Sequence, residues 1–318
     1  MATADHLKML IKAHFNDKDE QFRTTVLQIA AYEAQQGHPK LARELKTYLE
    51  KASKPKCSVI NLNSSSELIV YTPTNHHIND LVVNEELHER IDRILQEFRQ
   101  REKLQRYGLA NRRKILLEGD PGTGKTMTAK VIASELGLPL YTIQMDKLVT
   151  KYMGETSLKL RQIFESIGNV LGTYLFDEFD AIGADRSLDT DVGEMRRVLN
   201  SFLQFIEQDS SESIIVAATN NRKMLDQALF RRFDDVLHYS LPSTNEIATL
   251  LNYKLSGSPI SICLNDEVIH AANQLSHAEI VRACEDFIKT AILSNKNVDQ
   301  QTLIRMLSDR MSVYYKEA

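Results

Sequence analysis

Apolar residues recur along this chain with two different periods, and the alternation of the two predicts its architecture. Leu87, Ile91, Ile94, Leu95 and Phe98 share one helical face, which predicts an amphipathic helix from Glu85 to Tyr107. Short apolar runs near 115–118, 140–144, 172–176, 213–218 and 236–240 predict buried strands, with helical patterns between them. Such alternation predicts an α/β fold, a parallel sheet sandwiched by helices. From Ser243 onward only helical periodicity remains, over Glu246–Leu255, Asp266–Gln274, His277–Ser294 and Gln300–Tyr315.

The beginning of the chain has a pattern of its own. Leu7, Leu10 and Ile11, then Phe22, Val26, Ile29 and Ala30, then Leu41, Leu45, Tyr48 and Leu49 mark helical faces, punctuated by Gly37 and Pro39. That predicts a small helical bundle over 1–52, suited to recruiting a partner or substrate. Ser53-Lys54-Pro55-Lys56 and Asn63-Ser64-Ser65-Ser66 read as a tether, so 53–79 is expected to be a linker with short strands. An α/β body over 80–242 and a helical subdomain over 243–318 follow.

Candidate chemistry changes this picture from a fold to a function. Gly119-Asp120-Pro121-Gly122-Thr123-Gly124-Lys125-Thr126 fills every defined position of the G-x-x-x-x-G-K-[ST] phosphate-binding loop. The run Ile115-Leu116-Leu117 leads in as a strand, and Met127 to Leu136 leads out as a helix stopped by Gly137. Gly122 and Gly124 let backbone N–H groups close around phosphates at a helix N-terminus, Lys125 supplies a point charge, and the Thr126 hydroxyl can hold Mg²⁺. The chain is therefore expected to bind a nucleoside triphosphate.

A second half of such a site follows at Tyr174-Leu175-Phe176-Asp177-Glu178, where an apolar strand delivers two acids at its end. In P-loop NTPases the first of these, Asp177, holds Mg²⁺ through water, and Glu178 is placed to orient and polarise the attacking water. The strand at Ile214-Ile215-Val216-Ala217-Ala218 ends at Thr219-Asn220, where Asn220 can reach the same water or the γ-phosphate. Further on, Arg231 and Arg232 set two guanidinium groups side by side.

Together these segments resemble the AAA family of ATPases, within it the ring-forming protein remodellers that include spastin and katanin, over about residues 80 to 318. The resemblance implies ATP and Mg²⁺ as cofactors. The nucleotide would be held by Asp120, Pro121, Gly122, Thr123, Gly124, Lys125, Thr126, Met127 and Asp177, with His277 and Ala278 of a C-terminal α-helical lid; Thr126 and Asp177 would carry the metal. It implies Glu178, Lys125 and Asn220 as catalytic groups, with Arg231 and Arg232 acting on a neighbouring subunit's nucleotide in a homo-hexamer. Tyr152 and Met153, flanked by Lys151 and Gly154, look like the family's pore loop, which grips an extended polypeptide. The chain departs from the family pattern in three places: Asp120 stands for the usual proline, no Pro-Gly precedes the paired arginines, and Leu275 replaces a glycine before Ser276. The lid segment Leu275-Ser276-His277-Ala278-Glu279-Ile280 also lacks a sensor arginine.

Composition narrows the function classes. With 39 basic against 43 acidic residues the formal charge is −4, which gives no electrostatic footprint for nucleic acid and disfavours a DNA loader or initiator. Cys57, Cys263 and Cys284 stand apart, so neither a disulfide framework nor a zinc site is expected, and a reducing cytoplasm follows. Met1 to Lys8 shows no apolar leader, no run reaches the ~18 apolar residues of a membrane span, and His76-His77 reads as a polar loop. No H-E-x-x-H or G-x-S-x-G occurs, so any protease or nuclease chemistry belongs to a partner. Two functions stay open: a protein-remodelling ATPase, or an ATP-dependent regulatory subunit for a separately encoded effector, as in a bacterial defence system.

Overall fold

The apolar runs pair into one six-stranded sheet: β1 (Ile69–Thr72), β2 (Lys114–Gly119), β3 (Leu140–Ile143), β4 (Thr173–Phe176), β5 (Ile214–Thr219) and β6 (Asp235–Tyr239), in the spatial order β1-β3-β4-β5-β2-β6. This is a computed structural model, and it describes residues 19–35, 38, 40, 41, 43, 67–148, 155–179, 192–220, 230–256, 264–294 and 299–314. The chain divides into two compact units, Met1–Asn61 and Leu62–Ala318. In the first, helix α1 (Asp19–Gln35) buries Val26, Ile29 and Ala30 on one face. The other helices expected in that bundle lie outside the described residues or touch them only at isolated positions.

In the second unit, β2 through β6 are parallel, so each of these strands is joined to the next by a crossover connection. The exception is β1, which pairs antiparallel with β3, Thr72 Oγ1 and Thr142 Oγ1 lying 2.8 Å apart across the ladder. The expected parallel sheet is present, and β1 adds an antiparallel strand at its outer edge, where Val70 and Tyr71 are exposed.

Side chains alternate between the two faces of the sheet. Leu116, Tyr174, Phe176, Ile215 and Ala217 pack against α6 (Glu155–Asn169) and α7 (Val192–Gln208) through Leu160, Ile163, Phe164, Phe202 and Ile206. Ile115, Leu117, Leu175, Val216 and Ala218 pack against α2 (Glu85–Arg99) and α4 (Lys125–Leu136) through Ile91, Ile94, Leu95, Ala129 and Ile132. Removing a buried aromatic such as Phe202, wholly enclosed at 0%, would cost about 3–5 kcal/mol. The helix expected over Glu85–Tyr107 breaks at Gln100, with φ −108° and ψ 18°, and resumes as α3 (Arg101–Arg106). At the break the Arg101 guanidinium lies 4.7 Å from the Phe98 ring centroid and donates to the Phe98 carbonyl at 3.2 Å.

The C-terminal helices α8 (Thr244–Ser256), α9 (Asp266–Ala271), α10 (His277–Ser294) and α11 (Gln300–Tyr314) form a core of their own around Leu251, Val268, Ile280, Phe287 and Leu303. Asn265 caps α9 by accepting from the Val268 N–H at 3.2 Å. That helix ends sooner than its periodicity predicts, since Gln274 adopts φ 70° and turns the chain into α10. A one-turn helix α5 (Met145–Leu148) completes the order after β3.

Candidate functional site

Because β2, β4 and β5 are neighbours and parallel, their C-terminal ends bring three separate sequence segments to one edge of the sheet. β2 delivers the glycine-rich loop, β4 delivers Asp177 and Glu178, and β5 delivers Asn220. The loop is held from below by a buried contact: the Thr128 hydroxyl and the Tyr239 hydroxyl lie 2.6 Å apart, and burial raises the Tyr239 pKa far above its ordinary value.

Within the loop the Lys125 ammonium donates to the carbonyls of Gly119 at 2.8 Å and Asp120 at 2.7 Å, and the Thr123 hydroxyl donates to the Asp120 carbonyl at 2.7 Å. Asp120 thus acts through its backbone. Its side chain is exposed and is not among the described walls of the cleft. The Thr126 hydroxyl donates to Asp177 Oδ2 at 2.8 Å, while Asp177 Oδ1 accepts from the Glu178 N–H at 3.0 Å. A hydroxyl and a carboxylate held together in this way are oxygen donors of the kind a hard divalent cation takes, so the residues present fit Mg²⁺. Among the described residues there is no group of three or more His, Cys, Asp or Glu side chains placed to hold a metal ion.

Glu178 is set by its neighbours. Phe176 and Phe179 are buried at 0% and 1%, and the Phe179 and Phe202 rings pack with centroids 4.4 Å apart. Anchoring both sides of so short a turn leaves Asp177 and Glu178 pointing out of the core, and Glu178 takes φ 51°, a left-handed conformation that a non-glycine residue adopts at a cost. Glu178 is exposed and lines the cleft.

The lid closes the cleft from the other side. The Ala278 N–H donates to the Gly122 carbonyl at 3.0 Å. A Cβ on Gly122 would stand 2.6 Å from Ser276 Oγ and 3.1 Å from the Ala278 Cβ, so only glycine, here at φ 76°, lets loop and lid approach this closely. The cleft between them is about 450 Å³. Its walls bring together Pro121 to Met127, Asp177, Glu178, Asn220, His277 and Ala278. Burial lowers the His277 pKa, and both ring nitrogens are buried without a hydrogen-bond partner.

The remaining walls come from residues that motif reading missed: Asp80, Leu81 and Val82 ahead of α2, and Leu250, Lys254 and Val281 of the lid. Leu250 and Lys254 lie four positions apart on α8 and so share a face, but only the packing of α8 in the fold turns that face toward a nucleotide loop far away in sequence. Tyr253 beside them donates its hydroxyl to Asp80 at 2.5 Å, and that bond is the main cause of the lowered Asp80 pKa.

Arg231 and Arg232 lie elsewhere. Phe233 is buried and Phe230 packs against the same core, so the arginines between them are turned outward. Arg231 is exposed, and Arg232 pairs with Glu207 at 3.3 Å. Neither belongs to the described walls of their own chain's cleft. Tyr152 and Met153 lie outside the described residues. Among the described residues no helix is long and apolar enough to cross a membrane.

Comparison with known proteins gives a consistent result. The model of the family described as "ATPase family associated with various cellular activities (AAA)" matches residues 115–241. An uncharacterized AAA family ATPase of Sinorhizobium fredii is 33% identical over 320 residues, covering 97% of this chain and 96% of that protein. A 26S proteasome regulatory subunit homolog of Methanothermobacter marburgensis is 31% identical over 186 residues, 57% of this chain and 49% of that protein. The ATP-dependent zinc metalloprotease FtsH of Helicobacter pylori is 29% identical over 256 residues, 77% of this chain and 40% of that protein. The chain thus spans nearly all of the first relative and half or less of the other two.

Proposed function

This chain belongs to the AAA family of ATPases, and on that premise we propose that it is a ring-forming ATPase, a homo-hexamer that unfolds, translocates or remodels protein substrates through a central pore. ATP hydrolysis is the general activity of the family. The observation that carries the finer reading is a cleft with no arginine among its described walls, while Arg231 stands exposed away from it. A neighbouring copy that inserts this arginine would complete the site, which makes hydrolysis depend on assembly.

In that site ATP supplies the bond to be cleaved, and Mg²⁺ would be held by Thr126 and Asp177. Lys125 exchanges its two loop carbonyls for phosphate oxygens. Glu178, held outward by the turn between Phe176 and Phe179, orients and polarises the attacking water, and Asn220 at the neighbouring strand end fixes its direction. Ala278, bonded to Gly122, links the state of the loop to the lid, so that hydrolysis and release can move one subdomain against the other. Tyr152 and Met153 would convert that motion into grip on a polypeptide. Similarity to a protein described as a proteasome regulatory subunit homolog and to one described as an ATP-dependent protease supports a protein as the substrate class.

The first of these relatives also favours the second reading, a regulatory subunit whose effector is a separate protein. Turnover measured with an unfolded polypeptide separates the two. Stimulation by the polypeptide, lost in Tyr152→Ala, is the result expected of a translocating ring. If stimulation is absent, or persists unchanged in Tyr152→Ala, the pore reading gives way to the regulatory one.

A further inference from the structure

The strap over residues 78–83, ahead of α2, runs along the seam between the α/β body and the lid. Leu81 is buried in the body core, with Ile78 and Val83 packed against it, whereas Val82 packs against the core of the lid helices. Leu81 and Val82 also stand in the walls of two cavities. One is the cleft, and the other is a space of about 520 Å³ that also reaches Asn84, Ser243, Asn245 and Glu246, around the start of α8. With open space on both sides, the strap is a thin partition between the two subdomains.

Polar bonds tie the strap to both neighbours. On the body side the Ile78 N–H donates to Glu135 Oε1 at 3.1 Å, and Arg99 donates to Glu135 Oε2 at 3.1 Å, so the strap is held by the last turn of α4, the helix that begins at Lys125. On the lid side the Tyr253 hydroxyl of α8 donates to Asp80 Oδ1 at 2.5 Å, while Asp80 Oδ2 accepts from the His77 N–H at 2.8 Å and closes the short turn Ile78–Asp80. One carboxylate therefore holds both the turn of the strap and the lid. Tyr253 is 42% exposed, and Leu250 and Lys254 on the same helix form part of the cleft wall. This tie is separate from the bond between the Ala278 N–H and the Gly122 carbonyl, since it uses a different lid helix and a different part of the body.

We propose that the Asp80–Tyr253 hydrogen bond is a latch that holds the lid over bound nucleotide and sets the rate at which nucleotide leaves. The inference rests on the cleft being the nucleotide site, and not on ring assembly. A hydroxyl bonded to a carboxylate is charge-assisted, so it resists opening. Its half-exposed position lets water replace each partner once the lid swings away, so it resists opening without forbidding it. The apolar contact of Val82 with the lid core can slide through a small rotation, whereas a hydrogen bond is directional and is lost. Asp80 and Tyr253 are positioning residues in this role, acting through the strap and the lid and taking no part in the phosphate chemistry.

The test uses the full chain, loaded with a fluorescent ADP analogue and chased with excess ADP, so that the release rate is read directly. Tyr253→Phe removes one half-exposed hydroxyl and keeps the ring. It should raise the release rate about five- to tenfold, the factor expected for one hydrogen bond. Made in an Asp80→Ala background, the same change should alter release by less than about twofold, because the bond is already gone. A surface contact with no part in lid closure predicts unchanged release in Tyr253→Phe, and a packing role for Tyr253 predicts the same increase in both backgrounds. Either result overturns the inference. Should Asp80→Ala fail to fold, Asp80→Asn takes its place: its uncharged amide makes a weaker bond, so the effect of Tyr253→Phe should shrink, and an undiminished effect overturns the inference equally. Failure of the wild-type protein to bind the ADP analogue at all overturns instead the reading of the cleft itself.

Discussion

Gly122→Ala should weaken ATP binding while Gly137→Ala, at a similar backbone cost to the fold, should leave it nearly unchanged and so provides the control. Both glycines adopt positive φ, 76° and 64°, so an alanine at either pays for a left-handed backbone, about 1–2 kcal/mol. A more restricted unfolded chain returns about 0.4–1 kcal/mol, leaving a net loss near 1 kcal/mol, or about 2–4 °C in melting temperature for a unit of this size. At Gly137 nothing else follows, because a Cβ there meets no atom within 4 Å. At Gly122 the Cβ lies 2.6 Å from Ser276 Oγ and 3.1 Å from the Ala278 Cβ. The serine hydroxyl can rotate away; the alanine methyl cannot. Loop and lid must separate by a few tenths of an ångström, which stretches the 3.0 Å bond from the Ala278 N–H to the Gly122 carbonyl. Losing one such bond, about 1 kcal/mol, corresponds to roughly five- to tenfold in affinity. Titration with a fluorescent ATP analogue, alongside thermal melts, reads both quantities. Gly122→Ala should lose roughly five- to tenfold in ATP affinity, with Gly137→Ala staying within about twofold of wild type. If the two variants bind ATP equally well, the lid does not close on Gly122 and the contact is incidental.

Two further outcomes are expected. Arg231→Ala and Arg232→Ala should each reduce turnover by as much as ~10³ to 10⁵, and each should regain part of it when mixed with Lys125→Ala subunits, since a mixed ring holds intact composite sites; turnover independent of protein concentration, with no recovery on mixing, would refute an arginine acting across a subunit boundary. Burial pushes the Cys284 thiol up to about 12, so a maleimide at pH 8 should leave it unlabelled in the folded protein, and peptide mapping that finds it modified as fast as a free thiol would contradict its burial.

The parts of this site that could be read from sequence are those whose residues are close together along the chain. The loop from Gly119 to Thr126 is a local object with fixed positions, and the strand before it and the helix after it are equally local. Asp177 and Glu178 gain their meaning from a strand end, which the run Tyr174-Leu175-Phe176 announces. What depends on packing across the fold was hidden. No local signal places β2 between β5 and β6, and none puts Lys254 of α8 beside the phosphate loop. Glu178 adopts a left-handed conformation because buried aromatics flank the turn, and the spacing of two acids does not encode that. The helix breaks at Gln100 within a polar stretch, which a count of apolar positions does not register.

Steady-state turnover and equilibrium ATP binding, measured together on Glu178→Gln and Lys125→Ala, test the account most directly. Glu178→Gln keeps every phosphate and metal contact of the cleft and loses only the carboxylate that polarises water, so it should bind ATP with near wild-type affinity and release no phosphate. Lys125→Ala should fail to bind. Wild-type turnover by Glu178→Gln, or undiminished ATP binding by Lys125→Ala, would contradict the assignment of this cleft as the ATPase site.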